Sequence, residues 1–176
     1  MKTEIISSAN GRVNLLGEHL DYNGGSVLPL QIDRYVKIFL SDNNIDQKII
    51  IESKQYNEKI IIDQNFLKQN NWSDFVVGTC KIISDRFSLK ISNLHFEIDS
   101  DLPIGIGLSS SAAITVCTLK VLIKKFNIKI SNEELVNLAL KVERDFVNVG
   151  GGIMDQFTSI YGSTSEILYL DTATND

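Results

Sequence analysis

The chain has 176 residues, 43% of them hydrophobic and 22% charged, with only two prolines and a formal net charge of −5. It is long enough to bury one core of its own and too apolar for disorder, and an acidic balance with scattered Lys and Arg excludes a nucleic-acid surface. No run of 18 apolar residues occurs, "MKTEIISSAN" lacks a signal-type apolar region, and Cys80 and Cys117 have no framework spacing; a cytoplasmic protein with two buried thiols and no membrane contact is expected.

The first half reads as strands. "EIIS", "SVLPLQI", "YVKIFL", "KIIIES" and "KIIID" are short, rich in Ile, Val, Tyr and Phe, and separated by turn residues, which predicts a mixed or antiparallel sheet. Between the first two lies "GRVNLLGEHLDYNGG". Here Val13, Leu15 and Leu16 are expected to anchor the segment in the core, while Arg12, Glu18, His19 and Asp21 face one cleft. Clustered acceptors and a donor suit neighbouring hydroxyls on a sugar. Arg12 is a fixed cation able to face both a carboxylate and a phosphoryl group. Metal binding through His19 is the rival reading, disfavoured because the one other histidine, His95, falls in a strand.

Trp72, Phe75, Val76, Thr79, Ile82 and Ile83 recur at helical spacing and predict a helix from Ser73 to about Arg86. "SNLHFEID" alternates and predicts another strand. Next, "PIGIGLSSSAA" leads from a glycine-containing loop into the buried helix "LSSSAAITVCTLKVLIKKF". The first N–H groups of such a helix have no intrahelical partner and welcome phosphate. Gly105 and Gly107 would let the backbone approach it, and a serine hydroxyl could ligate magnesium. The competing reading is a tight turn with Ser109 or Ser110 as a plain helix cap. Neither a Walker lysine nor a protein-kinase motif is present.

A further helix is predicted from Ser131, with Glu134 completing a capping box and Glu143 near the C-terminal end. Glu143 reads either as a solvated rim glutamate or as a magnesium ligand beside Ser111. Gly150, Gly151 and Gly152 break the pattern before "IMDQFTSIYG", a short helix or turn, and "EILYLD" reads as a last strand. Asp155 follows the glycines as either a helix cap or a base for a hydroxyl nucleophile.

Four segments in this order resemble the GHMP small-molecule kinases and, more narrowly, the galactokinase branch of that family: "GRVNLLGEHLDYNGGSVLPLQID", "NWSDFVVGTCK", "PIGIGLSSSAA" and "GGIMDQF". Asn10, Leu20 and Ile106 depart from the pattern at a usual proline, a threonine and a small residue. The resemblance implies an α+β fold of the ribosomal protein S5 domain 2-like type, a mixed sheet with helices packed on one face. Residues 1–176 would be the N-terminal, sugar- and ATP-binding domain. The C-terminal GHMP domain is expected to be absent from this chain, so that a further domain or partner chain completes the cleft.

The implied activity is ATP-dependent phosphorylation of the C1 hydroxyl of galactose, with ATP and Mg²⁺ as cofactors. Asp155 matches the catalytic base and Arg12 the residue that orients it. Glu18, His19, Asp21 and Gly152 match sugar contacts. Gly105, Ile106, Gly107, Leu108, Ser109, Ser110 and Ser111 match the ATP phosphate loop, Trp72 an aromatic near adenine, and Ser111 with Glu143 the magnesium ligands. The alternatives are a sibling kinase for N-acetylgalactosamine, arabinose or a uronic acid, and a galactokinase-like sensor that binds sugar and ATP without turnover.

Overall fold

The computed structural model describes residues 4–174. Strands β1 (Ile5–Asn14), β3 (Pro29–Asp42), β4 (Ile49–Ser53), β5 (Glu58–Ile62) and β6 (Leu94–Ser100) form one mixed sheet in the order β1-β3-β6-β4-β5, with β4 and β6 parallel and the other neighbours antiparallel. Period-two alternation sends Val36, Ile38 and Leu40 of β3 and Leu94, Phe96 and Ile98 of β6 into the core. The opposite face stays solvated, where Lys54 meets Glu97 and Asp99, and Lys59 and His95 meet Glu52.

Helices α1 (Asp74–Phe87), α2 (Ser110–Phe126), α3 (Asn132–Lys141) and α4 (Met154–Tyr161) cover the apolar face, giving the α+β architecture expected. The central helix is α2, which lies on β1 and β3 and is buried on most of its circumference, from Ala112 and Ala113 to Leu119 and Leu122. Its buried Thr115 and Thr118 donate to the carbonyls of Ser111 and Ile114, so the apolar setting leaves no orphaned hydroxyl. Cys80 and Cys117 are both buried and free, and burial pushes both thiols up.

Several elements differ from the expectations. The "SVLPLQI" and "YVKIFL" runs do not divide into strands where expected. Ser26–Val27 is a short strand, β2, and β3 then runs unbroken through the polar Asp33-Arg34 pair. Asn10 pairs with Tyr35 and Arg12 with Gln31, so three residues of β3 oppose the single Gly11, and the exposed polar pair rides on a bulge. Of "EILYLD", only Leu170–Asp171 forms a strand, β7, paired with β2; Ile167 makes an isolated bridge to Leu30.

Leu15 and Leu16 are not core anchors, being 48% and 64% exposed. Their backbones hold the segment instead, Leu15 N–H to the Leu28 carbonyl and Leu28 N–H to the Leu16 carbonyl. Ser131 caps α3 by accepting from the Glu134 N–H at 3.1 Å, but the Glu134 carboxylate completes no box because it turns to Arg86 at 3.0 Å. Beyond Lys141 the helix continues as a π-helical turn over Val142–Val147.

Candidate active site

Three chain segments converge at one end of α2. Strand β1 delivers Arg12, the loop before α2 delivers Gly105 to Ser109, and the start of α4 delivers Asp155. Arg12 donates to one Asp155 oxygen, Oδ1, through Nε at 2.7 Å and pairs with the same oxygen through Nη2 at 2.6 Å, while its Nη1 donates to the Gly107 carbonyl at 2.8 Å. The Arg12 backbone N–H also donates to the Leu108 carbonyl at 3.2 Å. Gly11 makes this approach possible: a Cβ there would stand 2.6 Å from the Leu108 carbonyl oxygen and 2.4 Å from a Leu102 methyl. The second Asp155 oxygen, Oδ2, accepts from the Ser109 hydroxyl at 2.6 Å. Ser109 occupies the cap position of α2 but makes no capping bond with its side chain, so the plain-cap reading does not hold for it.

The start of α4 is fixed from the other side. Its own cap position, Ile153, offers no capping side chain. Asp21, in the loop after β1, supplies the cap across the chain, its Oδ1 accepting from the Ile153 and Met154 N–H groups at 2.9 and 3.0 Å. Burial raises the Asp21 pKa, opposed by the Met154 N–H. Gly152 lies so close to this carboxylate that any side chain there would collide with it. Further along α4, the Gln31 amide donates to the Thr158 carbonyl and the Ser159 hydroxyl to the Asn10 carbonyl, seating the helix on β3 and β1. Val27, Met154 and Leu170 form a small apolar cluster that ties β2 and β7 to the same helix start.

These elements enclose a cleft of about 260 Å³ lined by Arg12, Glu18, His19, Asp21, Ser111, Glu143, Gly152 and Asp155. His19, at a positive φ of 64°, is hydrogen bonded to the Tyr22 hydroxyl through Nδ1 at 2.5 Å. The remaining loop residues, Gly105, Ile106, Gly107, Leu108, Ser109 and Ser110, stand outside this lining, joined to it through Arg12 and Asp155. Trp72 is not brought to the cleft. Its indole N–H donates to Glu58 at 2.7 Å and its ring stacks on Tyr56 with centroids 5.0 Å apart.

Glu143 is not the solvated rim residue that one reading allowed. It sits in the π-helical turn, only 8% exposed, with Oε1 lacking a hydrogen-bond partner among the described residues. Burial, reinforced by the Asp155 charge, pushes its pKa up to about 7. A buried carboxylate oxygen without a partner is costly unless a cation or proton compensates it, so Glu143, which lines the same cleft as Ser111, fits a divalent ion. Among the described residues no group of three or more His, Cys, Asp or Glu could hold a metal. Mg²⁺ takes few protein ligands and completes its shell with phosphate and water, which is what a site of one carboxylate and one hydroxyl would require.

Three contributors to the cleft carried no assigned role in the sequence. Asn14 and Gln156 line it, and the amide N and O of both are buried without partners among the described residues; Arg144 donates to the Gly151 carbonyl and pins the glycine segment. Gln156 next to Asp155 was visible as a neighbour, but its burial depends on tertiary packing alone.

The chain belongs to the GHMP kinase family: residues 74–163 match the GHMP kinases N terminal domain. Residues 1–42 match the galactokinase galactose-binding signature, which contains Arg12, Glu18, His19 and Asp21. A galactokinase of Thermosipho africanus is 40% identical over 168 residues, covering 96% of this chain and 46% of that protein. One of Pyrococcus furiosus is 38% identical over 173 residues, covering 98% and 48%. The crystal structure of Lactococcus lactis galactokinase complexed with galactose superposes with a TM-score of 0.89 at 31% identity, over 98% of this chain and 46% of that one. The chain thus spans about half the length of the curated relatives it matches.

Proposed function

We propose that this chain is the sugar- and ATP-binding half of a cytoplasmic galactokinase, transferring the γ-phosphoryl group of ATP to the C1 hydroxyl of galactose. The observation that carries the reading is the Arg12–Asp155 pair, set between the sugar-loop residues Glu18, His19 and Asp21 and the glycine loop that opens α2.

In this scheme Asp155 accepts the proton of the C1 hydroxyl as that oxygen forms its bond to the γ-phosphorus and the bond from phosphorus to the bridging oxygen of ADP breaks. Arg12 holds Asp155 and opposes the charge that spreads over the transferring group. The Gly105–Ser111 loop and the first N–H groups of α2 cradle the nucleotide phosphates. Ser111 and Glu143 would hold Mg²⁺, which neutralises charge on those phosphates. Glu18, His19, the free Asp21 oxygen and the Gly152 backbone hold the sugar. Trp72 reaches adenine only if the nucleotide extends toward the Tyr56 stack. A second half of the enzyme closes the cleft, as the share of each relative left uncovered suggests.

The test is a coupled assay of ADP release over a panel of sugars, run on this chain and on the complete protein that carries it. Galactose is expected as the preferred acceptor. A much higher kcat/KM with N-acetylgalactosamine, arabinose or a uronic acid would assign a sibling kinase, and sugar binding without turnover would assign a sensor.

A further inference from the structure

The loop before α2 contains three residues with positive φ: Gly105 at 74°, Gly107 at 77° and Ser109 at 59°. At the two glycines a Cβ would meet no protein atom within 4 Å, so within the protein it is the positive φ that calls for glycine. Ser109 adopts the same left-handed region without being glycine, a conformation that an L side chain enters only at a steric cost. The hydroxyl does not repay that cost as a helix cap, because it makes no capping bond. Ser109 is 8% exposed, and its Oγ donates to Asp155 Oδ2 at 2.6 Å. Nine other non-glycine described residues share a positive φ, so it is the buried hydroxyl's bond to Asp155, added to the backbone cost, that singles out Ser109.

The geometry at Asp155 shows what that aim achieves. Arg12 places both of its contacts on Oδ1. Contacts on one oxygen fix that atom but leave the other able to swing about it through coupled changes in the two side-chain torsions, the last of which has a broad profile. The Ser109 hydroxyl on Oδ2 removes that freedom. We infer that Ser109 is a positioning residue that sets the plane of the Asp155 carboxylate, a duty separate from the phosphate cradle formed by the rest of its loop. Because Ser109 belongs to that loop, the segment that receives the nucleotide also orients the base. The inference rests on the kinase reading given above.

Ser109→Gly and Ser109→Ala separate the hydroxyl from the backbone. Both remove the donor to Asp155, but glycine relaxes the left-handed turn and alanine does not. In the complete protein, both variants are expected to lose about 30- to 100-fold in kcat, as misplacement of a catalytic group does, with the KM for ATP within about threefold of wild type. In thermal unfolding the glycine variant is expected to exceed the alanine variant. Glycine with normal kcat would mean that only the backbone matters and would overturn the inference. A loss confined to the KM for ATP would overturn it too, returning Ser109 to the phosphate cradle. A wild-type protein with no turnover of any sugar would overturn the kinase reading and this inference together, whereas an active wild type beside an unimpaired glycine variant overturns this inference alone.

Discussion

Glu143 and Asp155 are two carboxylates in one cleft with opposite surroundings. Asp155 has both oxygens occupied by donors, whereas Glu143 is buried with Oε1 unpartnered among the described residues. Burial raises the Glu143 pKa from an ordinary 4.5 to about 7 in the folded protein. Between those values the folded state keeps a proton that the unfolded state has released, so without metal this group's contribution to stability declines as pH rises from about 4.5 to 7. Glu143→Gln keeps the shape and removes the charge. Urea unfolding should find the variant close to wild type near pH 5 and more stable at pH 8, by up to roughly 3 kcal/mol at 1.36 kcal/mol per pKa unit. Added Mg²⁺ should stabilise the wild type at pH 8 and leave the variant unchanged. Neither the burial of Glu143 nor the direction of the Ser109 hydroxyl was legible in the sequence. The first depends on a π-helical turn that shifts the helix face, and the second on a bond spanning 46 positions.

Among the elements, α4 shows how a sugar-facing loop and a catalytic helix depend on each other. Asp21, read in the sequence as a hydroxyl ligand, has one oxygen committed to the first N–H groups of α4 and leaves the other for the cleft. Asp21→Ala should therefore destabilise the fold by about 1 kcal/mol, the usual cost of a lost cap, while Asp21→Asn, which keeps an acceptor, should recover most of that loss in chemical denaturation. Sugar affinity should fall in both.

The glycine loop before α2, the cap at Ser131 and the core strands were legible, because local chemistry and periodicity determine them. The unbroken run of β3 was not, since Asp33-Arg34 carries a turn's composition and is kept in the strand by a bulge against Gly11. Leu15 and Leu16 misled for a related reason: apolar side chains implied core burial where backbone pairing with Leu28 does the anchoring.

At the scale of the whole molecule, a sheet with one covered face places β1, the α2 loop and α4 around a single cleft. Leu15, Leu16, Leu20, Tyr22, Ile104, Ile106 and Val149 are large, exposed and carried by the segments that border it. Exposed apolar side chains grouped along functional loops mark a surface that receives a ligand or another protein. The central claim is narrower: Asp155, held by Arg12, takes the proton that frees the sugar oxygen for phosphoryl transfer. Its most direct test is Asp155→Asn in the complete protein, with galactose turnover by coupled assay and galactose affinity by calorimetry measured side by side. The account predicts a loss of about 10²- to 10⁴-fold in kcat, the range for a general base, with galactose still bound within a few-fold of wild type. Full turnover in that variant would contradict it.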